Sequence, residues 1–434
     1  MAGLARRAPA RPWTTSAVDF HQGTALVFLP RDDMPKPNPR TTPRSAAAHP
    51  AHPGRPRQVA PATWALLAGA WLVAGLFIAF GSTWLAVPLT TGVAAGAFGL
   101  LFATILAASF GVVHEADHLA QQLGEPYGTL VLTLSIVSIE VILIASVLLG
   151  PGDSSAIGRD SIFAVMMIIM NLVIGICLVA GSARHGDQEY NAQGATAYLG
   201  MIALLTGTAL VLPNHLGGAG AFSTPQALGM AALTACLYAA FLWLQMRSHR
   251  RYFIQPAAGS MAVPALAQRT RGGETAAMPG PAGRRAMAVR SAVLLALVLP
   301  IVLLAHYLAI VTDYGIAAAG APAAVGGVLI AIIVFTPESI TAVRAAMGNE
   351  MQRAINLCLG AFVSTVGLTV PAVLLIGVAT GQRMAMGLSG TEVVLLVLTV
   401  ALAVLSFNGQ RTSPIQGLMH LTLFAVFGLV LFLP

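Results

Sequence analysis

Two carboxylates stand where an apolar chain accommodates them worst. Glu140 closes the run that begins at Gly128, and Glu338 closes the run that begins at Gly326; everything between is apolar or small. In both runs the glycine lies twelve residues before the acid and a hydroxyl lies two before it, Ser138 in one and Thr336 in the other. At a helical rise of about 1.5 Å per residue, such a run carries its acid roughly 18 Å into a hydrocarbon core about 30 Å thick. Inserting an acid there costs roughly 3 kcal/mol, so a chain that does it twice at matching positions is building a site.

The repetition extends further. Asn171 with Gly175 and Asn356 with Gly360 recur with the same internal spacing, each pair following its acid. The interval from acid to asparagine differs because a polar connection, Gly150 to Ser155, is present only in the first copy. Loops absorb such insertions at little cost. Carboxylates, hydroxyls and carboxamides are hard oxygen ligands, suited to Ca²⁺, Na⁺ or K⁺. Glu140 and Glu338 are therefore the expected metal and proton ligands, with Ser138, Thr336, Asn171 and Asn356 completing the shell. Pro337 removes a helical hydrogen bond and is expected to free a carbonyl beside Glu338. Protons would compete with such a cation for the same carboxylate oxygens. Ser364, Thr365 and Thr369 are further candidates for lining the path, although hydroxyls on membrane helices usually bond their own backbone.

One other motif has chemistry. His114, Glu115 and His118 match H-E-x-x-H, which on a helix places two imidazoles on one face for zinc and supplies a glutamate base. An intramembrane zinc metalloprotease is the alternative of another class. Against it, the motif lies at a helix end, no obvious third ligand follows, and a protease site does not explain a duplicated chain. As a second reading, His114, Glu115, Asp117, His118 and Glu125 form a polar cytoplasmic mouth that attracts cations. Paired acids also make cation filters, so a channel is a third reading.

These residues need elements to carry them. Of 434 residues 56% are apolar and 9% charged, with a mean hydropathy of +0.78, whereas a soluble domain is about one quarter charged. Apolar runs and their breakers predict spans at about 62–80, 85–112, 128–150, 161–181, 195–213, 225–246, 290–312, 321–343, 355–379, 388–407 and 415–433. This is an all-α polytopic membrane protein of about eleven helices. With a cytoplasmic N-terminus, all but Arg159 and Arg383 of the 23 Lys and Arg fall on the cytoplasmic face, as the positive-inside bias requires. The net charge of +7 belongs to tails and loops without interleaved aromatics, which excludes nucleic acid as the partner. The expected location is the inner (plasma) membrane, with the C-terminus on the far face.

Residues 1–61 are basic and rich in Pro and Ala, and are expected to be disordered. A basic linker, 247–289, divides the rest into 62–246, a leading helix plus five, and 290–434, five more. An odd number of helices per repeat turns the halves upside down relative to each other and brings their sites to the midplane. Cys177, Cys236 and Cys358 lack paired spacing and read as small packing residues. Oligomeric state is not encoded in any of these features.

Gly124-Glu-Pro-Tyr-Gly-Thr-Leu-Val-Leu, Ile139-Glu-Val, Pro337-Glu-Ser, Asn356-Leu and Gly367-Leu-Thr-Val-Pro371 together resemble the ChaA-type calcium/proton antiporters of the cation/calcium exchanger superfamily. The resemblance covers roughly 62–434. It implies one leading helix plus two inverted-topology repeats of five, and exchange of Ca²⁺, in some members Na⁺ or K⁺, for H⁺. It also implies a transporter with no cofactor and no enzymatic activity, whose central glutamates are Glu140 and Glu338. The long basic tail and the linker without an acidic run depart from the family pattern.

Overall fold

Apolar stretches of near twenty residues bounded by Pro, Gly and Ser set the helix limits. Pro61 opens α1 (Pro61–Trp84), followed by α2 (Thr91–Leu123) and α3 (Tyr127–Leu148). Next come α4 (Ile157–Met167), a π-helical turn (Ile168–Val173) and α5 (Ile174–His185), which form one continuous crossing. α6 (Ala192–Thr206) runs into a second π turn, Gly207–Val211, and a 3₁₀ turn, Leu212–His215. α7 (Thr224–Met246) completes the first half. The second half holds α8 (Pro281–Ala319), α9 (Ala324–Met347), α10 (Met351–Thr380), α11 (Gly390–Ser406) and α12 (Pro414–Phe432). Three helices are capped reciprocally: the backbone N–H groups of Ser223, Ser389 and Ser413 donate to Gln226, Glu392 and Gln416 at 2.9, 2.8 and 3.0 Å, satisfying donors a helix start leaves unpaired. α10 ends on Gly381 in the left-handed region, φ +70°, where a side chain is costly.

The computed structural model describes residues 16–18, 25–27 and 59–433, except 87, 124–126, 149–154, 217 and 257–280. Among these, nine helical spans are long and apolar enough to cross a membrane, and two shorter apolar helices, Leu134–Leu148 and Gly390–Ser406, occupy the remaining expected crossings. The all-α multi-pass architecture is as the sequence predicts. The chain divides into two units, 1–55 and 56–434. In the first, β1 (Ser16–Val18) pairs antiparallel with β2 (Ala25–Val27). The second unit holds every helix among the described residues.

The halves interlock in matched fashion. α5 packs on α9 and α12 of the second half, while its counterpart α10 packs on α3 and α7 of the first. Likewise α2 packs on α8 and α9, and α8 on α2 and α3. The crossing Ile157–His185 is 83% buried over its apolar window and α10 67%, against 22%, 22% and 17% for α1, α7 and α12. The helices bearing the two asparagines are thus central, and the outermost ones present large apolar side chains such as Leu72, Leu233 and Leu429. Close crossings use glycine. A Cβ on Gly175 would come 2.8 Å from Leu421 Cγ, and one on Gly327 would come 2.7 Å from the Asp160 backbone. Small residues let membrane helices approach this way.

Three local expectations change. α9 passes through Pro337 without a break, and Thr341 Oγ1 donates to the Pro337 carbonyl at 3.0 Å; the irregular backbone is instead the π turn that carries Asn171. α2 begins later than expected and continues through the H-E-x-x-H stretch, because no breaker separates Gly111 from Leu123. α8 starts at Pro281, inside the segment read as linker, since proline suits the first helical turn.

Candidate functional site

Glu140 and Glu338 arrive from opposite halves on helices that pack against each other, α3 and α9. Both are buried, at 0% and 9% exposure, and Glu338 lies within range of the Glu140 charge. Glu140 Oε2 accepts a hydrogen bond from Thr365 Oγ1 of α10 at 2.8 Å. Among the described residues, Glu140 Oε1 and Glu338 Oε2 have no hydrogen-bond partner. Thr369, one turn beyond Thr365, interacts with Glu140 and has an otherwise unpartnered, buried hydroxyl. Glu338 borders a small gap lined by Ile169, Val173, Phe335, Ser339, Leu357 and Cys358. The Ser339 hydroxyl donates to Phe335 O at 2.6 Å. The shell is therefore lopsided, hydroxyl-rich beside Glu140 and largely apolar beside Glu338.

The other expected ligands are not brought to the pair. Ser138 is exposed and donates to Leu134 O at 2.6 Å; Thr336 donates to Ile332 O at 2.5 Å. Two residues before the acid is about 200° around a helix from it, which turns both hydroxyls to the far face. Asn171 is fully buried but engaged elsewhere: Nδ2 donates to Thr399 Oγ1 at 2.9 Å, and Oδ1 lies 3.2 Å from His420 Nδ1. His420 Nε2 in turn lies 3.1 Å from Ser406 Oγ. That network ties the π turn to α11 and α12, and no spacing in the sequence announces it. Asn356 is tied to the loop after α7: Nδ2 donates to Phe253 O at 2.6 Å and Oδ1 accepts from Gln352 at 2.9 Å.

The H-E-x-x-H stretch does not form a metal centre. Glu115 is fully buried, with Oε2 accepting from Arg290 NH1 at 2.6 Å and Oε1 from Thr63 Oγ1 at 3.3 Å. A glutamate held by an arginine is no free base for zinc-bound water. His114 and His118 stack edge to face with centroids 4.6 Å apart, and no group of three or more His, Cys, Asp or Glu among the described residues is arranged to hold a metal. As for a cation-attracting mouth, His114 is exposed, Asp117 and His118 are half-buried, and Glu115 is sequestered. Glu125 lies outside the described residues.

The sodium/calcium exchanger protein family model matches residues 93–247 and 290–433. The chain belongs to this family. The first matched block covers nearly all of α2 to α7, and the second runs from within α8 to the end of α12. This exchanger is 36% identical over 330 residues to the putative ionic transporter y4hA of Sinorhizobium fredii, covering 75% of this chain and 86% of the relative. It is 32% identical over 329 residues to the sodium-potassium/proton antiporter ChaA of Escherichia coli, covering 76% and 86%. The resemblance to ChaA-type exchangers is borne out. Among solved structures, native YfkE superposes with a TM-score of 0.63 at 16% identity, covering 86% of this exchanger and 99% of that chain. The H⁺/Ca²⁺ exchanger CAX gives 0.61 at 13%, covering 86% and 88%. At such identities the likeness is one of fold.

Proposed function

We propose that the protein is a secondary active antiporter that exchanges a hard cation for H⁺, with Glu140 and Glu338 binding cation and protons competitively. The observation that carries this is the carboxylate pair itself: two buried acids from opposite halves, each with an oxygen that no described protein group satisfies. A buried charged oxygen without a partner is costly, so each must take a proton or a cation. Ca²⁺ is the favoured cargo, with Na⁺ and K⁺ as the alternatives the same oxygens admit. Two carboxylates with the Thr365 and Thr369 hydroxyls supply up to about six oxygens, the lower limit for Ca²⁺. Two protons per Ca²⁺ would neutralise the site equally. A curated relative named Ca²⁺/H⁺ antiporter, from Synechocystis, at 25% identity over 60% of this chain, supports the divalent reading; the relative in Escherichia coli supports the monovalent one.

The ions reach the pair by alternating exposure of the two faces. The charge asymmetry of the loops supports residence in the plasma membrane with the N-terminus and linker cytoplasmic. No resident cofactor and no covalent chemistry enter the scheme. Proton flux in everted vesicles against Ca²⁺, Na⁺ and K⁺ identifies the cargo. Glu140→Gln should insert normally and lose exchange; cation-driven flux at the parental rate in that variant sinks the assignment. A channel would instead pass the cation without coupled proton movement.

A further inference from the structure

α2 and α8 open the two halves, and they lie side by side along most of their length. They run antiparallel: Glu115 near the end of α2 meets Arg290 near the start of α8, while Thr91 at the start of α2 lies 3.4 Å from Tyr314 near the end of α8. The two ends of this helix pair differ. At the end beside the linker, the Glu115–Arg290 contact is almost completely shielded, at 0% and 3% exposure, and Thr63 of α1 holds the second carboxylate oxygen. Toward the opposite end, the same helices wall a cavity of about 200 Å³ through Phe98 and Phe102 of α2 and Leu308 and Asp313 of α8. Its other wall includes Leu143 of α3 and Ile333 of α9, three residues beyond Glu140 and five before Glu338. Among the described residues, the α2–α8 pair is closed by an ion pair at its linker end and walls a cavity toward its other end.

The repeat shows that the seal is one-sided. Glu115 and Asp313 each stand 25 residues before the glutamate of their own half, so the acid is duplicated. Arg290 stands 48 before Glu338, and the position 48 before Glu140 is Gly92. The arginine is not duplicated. Asp313 is accordingly exposed at the cavity where Glu115 is buried in an ion pair.

We propose that the Glu115–Arg290 pair, braced by Thr63, is a releasable gate that holds the linker face shut while the opposite face is open, and that it parts when the linker face admits ions. The proposal rests on the alternating-exposure reading above. Burial makes the pair suitable: a shielded ion pair is held strongly once formed, yet parting into water restores the hydration of both ions. It also assigns a role to the H-E-x-x-H stretch that zinc does not fill.

The test uses the full chain in proteoliposomes, with Cys236→Ala removing the exposed thiol and Thr312→Cys reporting on the cavity to a membrane-impermeant maleimide. Glu115→Gln and Arg290→Gln should each slow labelling of the reporter at least fivefold, as molecules redistribute toward the state open at the linker face. The exchanged pair Glu115→Arg with Arg290→Glu should recover the parental rate. Unchanged labelling in both single variants, or an exchanged pair that labels as slowly as they do, overturns the gate. Should the single variants fold poorly, Glu115→Cys with Arg290→Cys can be bridged by a short, reductively cleavable bifunctional thiol reagent. Bridging should abolish exchange, leave cavity labelling fast, and be reversed by reductant; undiminished exchange in the bridged protein overturns the proposal. Labelling does not depend on transport. Absence of cation-driven proton flux in the parent with labelling that still responds to the pair would count against the antiport reading and leave the gate standing.

Discussion

Thr365→Val removes one oxygen from the site and keeps the shape of the side chain. In the structure that oxygen donates to Glu140 Oε2 at 2.8 Å, across the interface between α10 and α3. A hydrogen bond to a charged group contributes about 1.5–3 kcal/mol, and about 1.4 kcal/mol corresponds to a factor of ten in affinity. The half-saturating cation concentration should therefore rise roughly 10- to 100-fold on this basis. Maximal exchange should be retained, because both glutamates remain. The assay is the initial rate of cation-driven proton flux in everted vesicles as a function of cation concentration, normalised to inserted protein. Thr365→Ser keeps the donor and should stay close to the parent. Ser138→Ala is the informative control, since that hydroxyl is spent on Leu134 O at 2.6 Å. An unchanged half-saturation in Thr365→Val, or equal damage from Ser138→Ala, refutes the assignment of ligands by geometry.

Asn171→Leu should lower thermal stability by about 1–3 kcal/mol, because it strands the buried Thr399 and His420 groups. Its cation dependence should match the parent; a large rise in half-saturation would make Asn171 a ligand after all. Gly175→Ala places a Cβ 2.8 Å from Leu421 Cγ and 3.0 Å from Gly417 O, and overpacking of this kind costs about 1–3 kcal/mol. Gly200→Ala, with nothing within 4 Å, should be tolerated in the same melting experiment. Trypsin should cleave the arginine-rich segment between α7 and α8 in everted vesicles and spare it in right-side-out ones; the reverse pattern would invert the proposed orientation.

The helices were legible because each is encoded locally. A run of some twenty apolar residues between breakers spans a bilayer whatever its neighbours do, and every expected crossing coincides with a helix in the structure. The two acids were legible for the same reason: Glu140 and Glu338 are conspicuous against apolar surroundings, and their duplicated spacing requires no knowledge of packing. What lies opposite each acid was not. A helix apolar on all sides carries no stripe to say which face turns inward. Proximity in sequence therefore favours Ser138 and Thr336, two residues from their acids, over Thr365, more than two hundred residues from Glu140. The π turn at Ile168–Val173 bears Asn171 into contact with His420 and Thr399. Glu115 fits the H-E-x-x-H pattern in the sequence, but its partner Arg290 lies 175 residues away and only the fold brings it there. The sequence by itself determined where the charges sit along the membrane normal, because helical rise is fixed. Only the tertiary structure decided which partner each charge meets, because that depends on rotation about helix axes and on contacts between halves far apart in the chain.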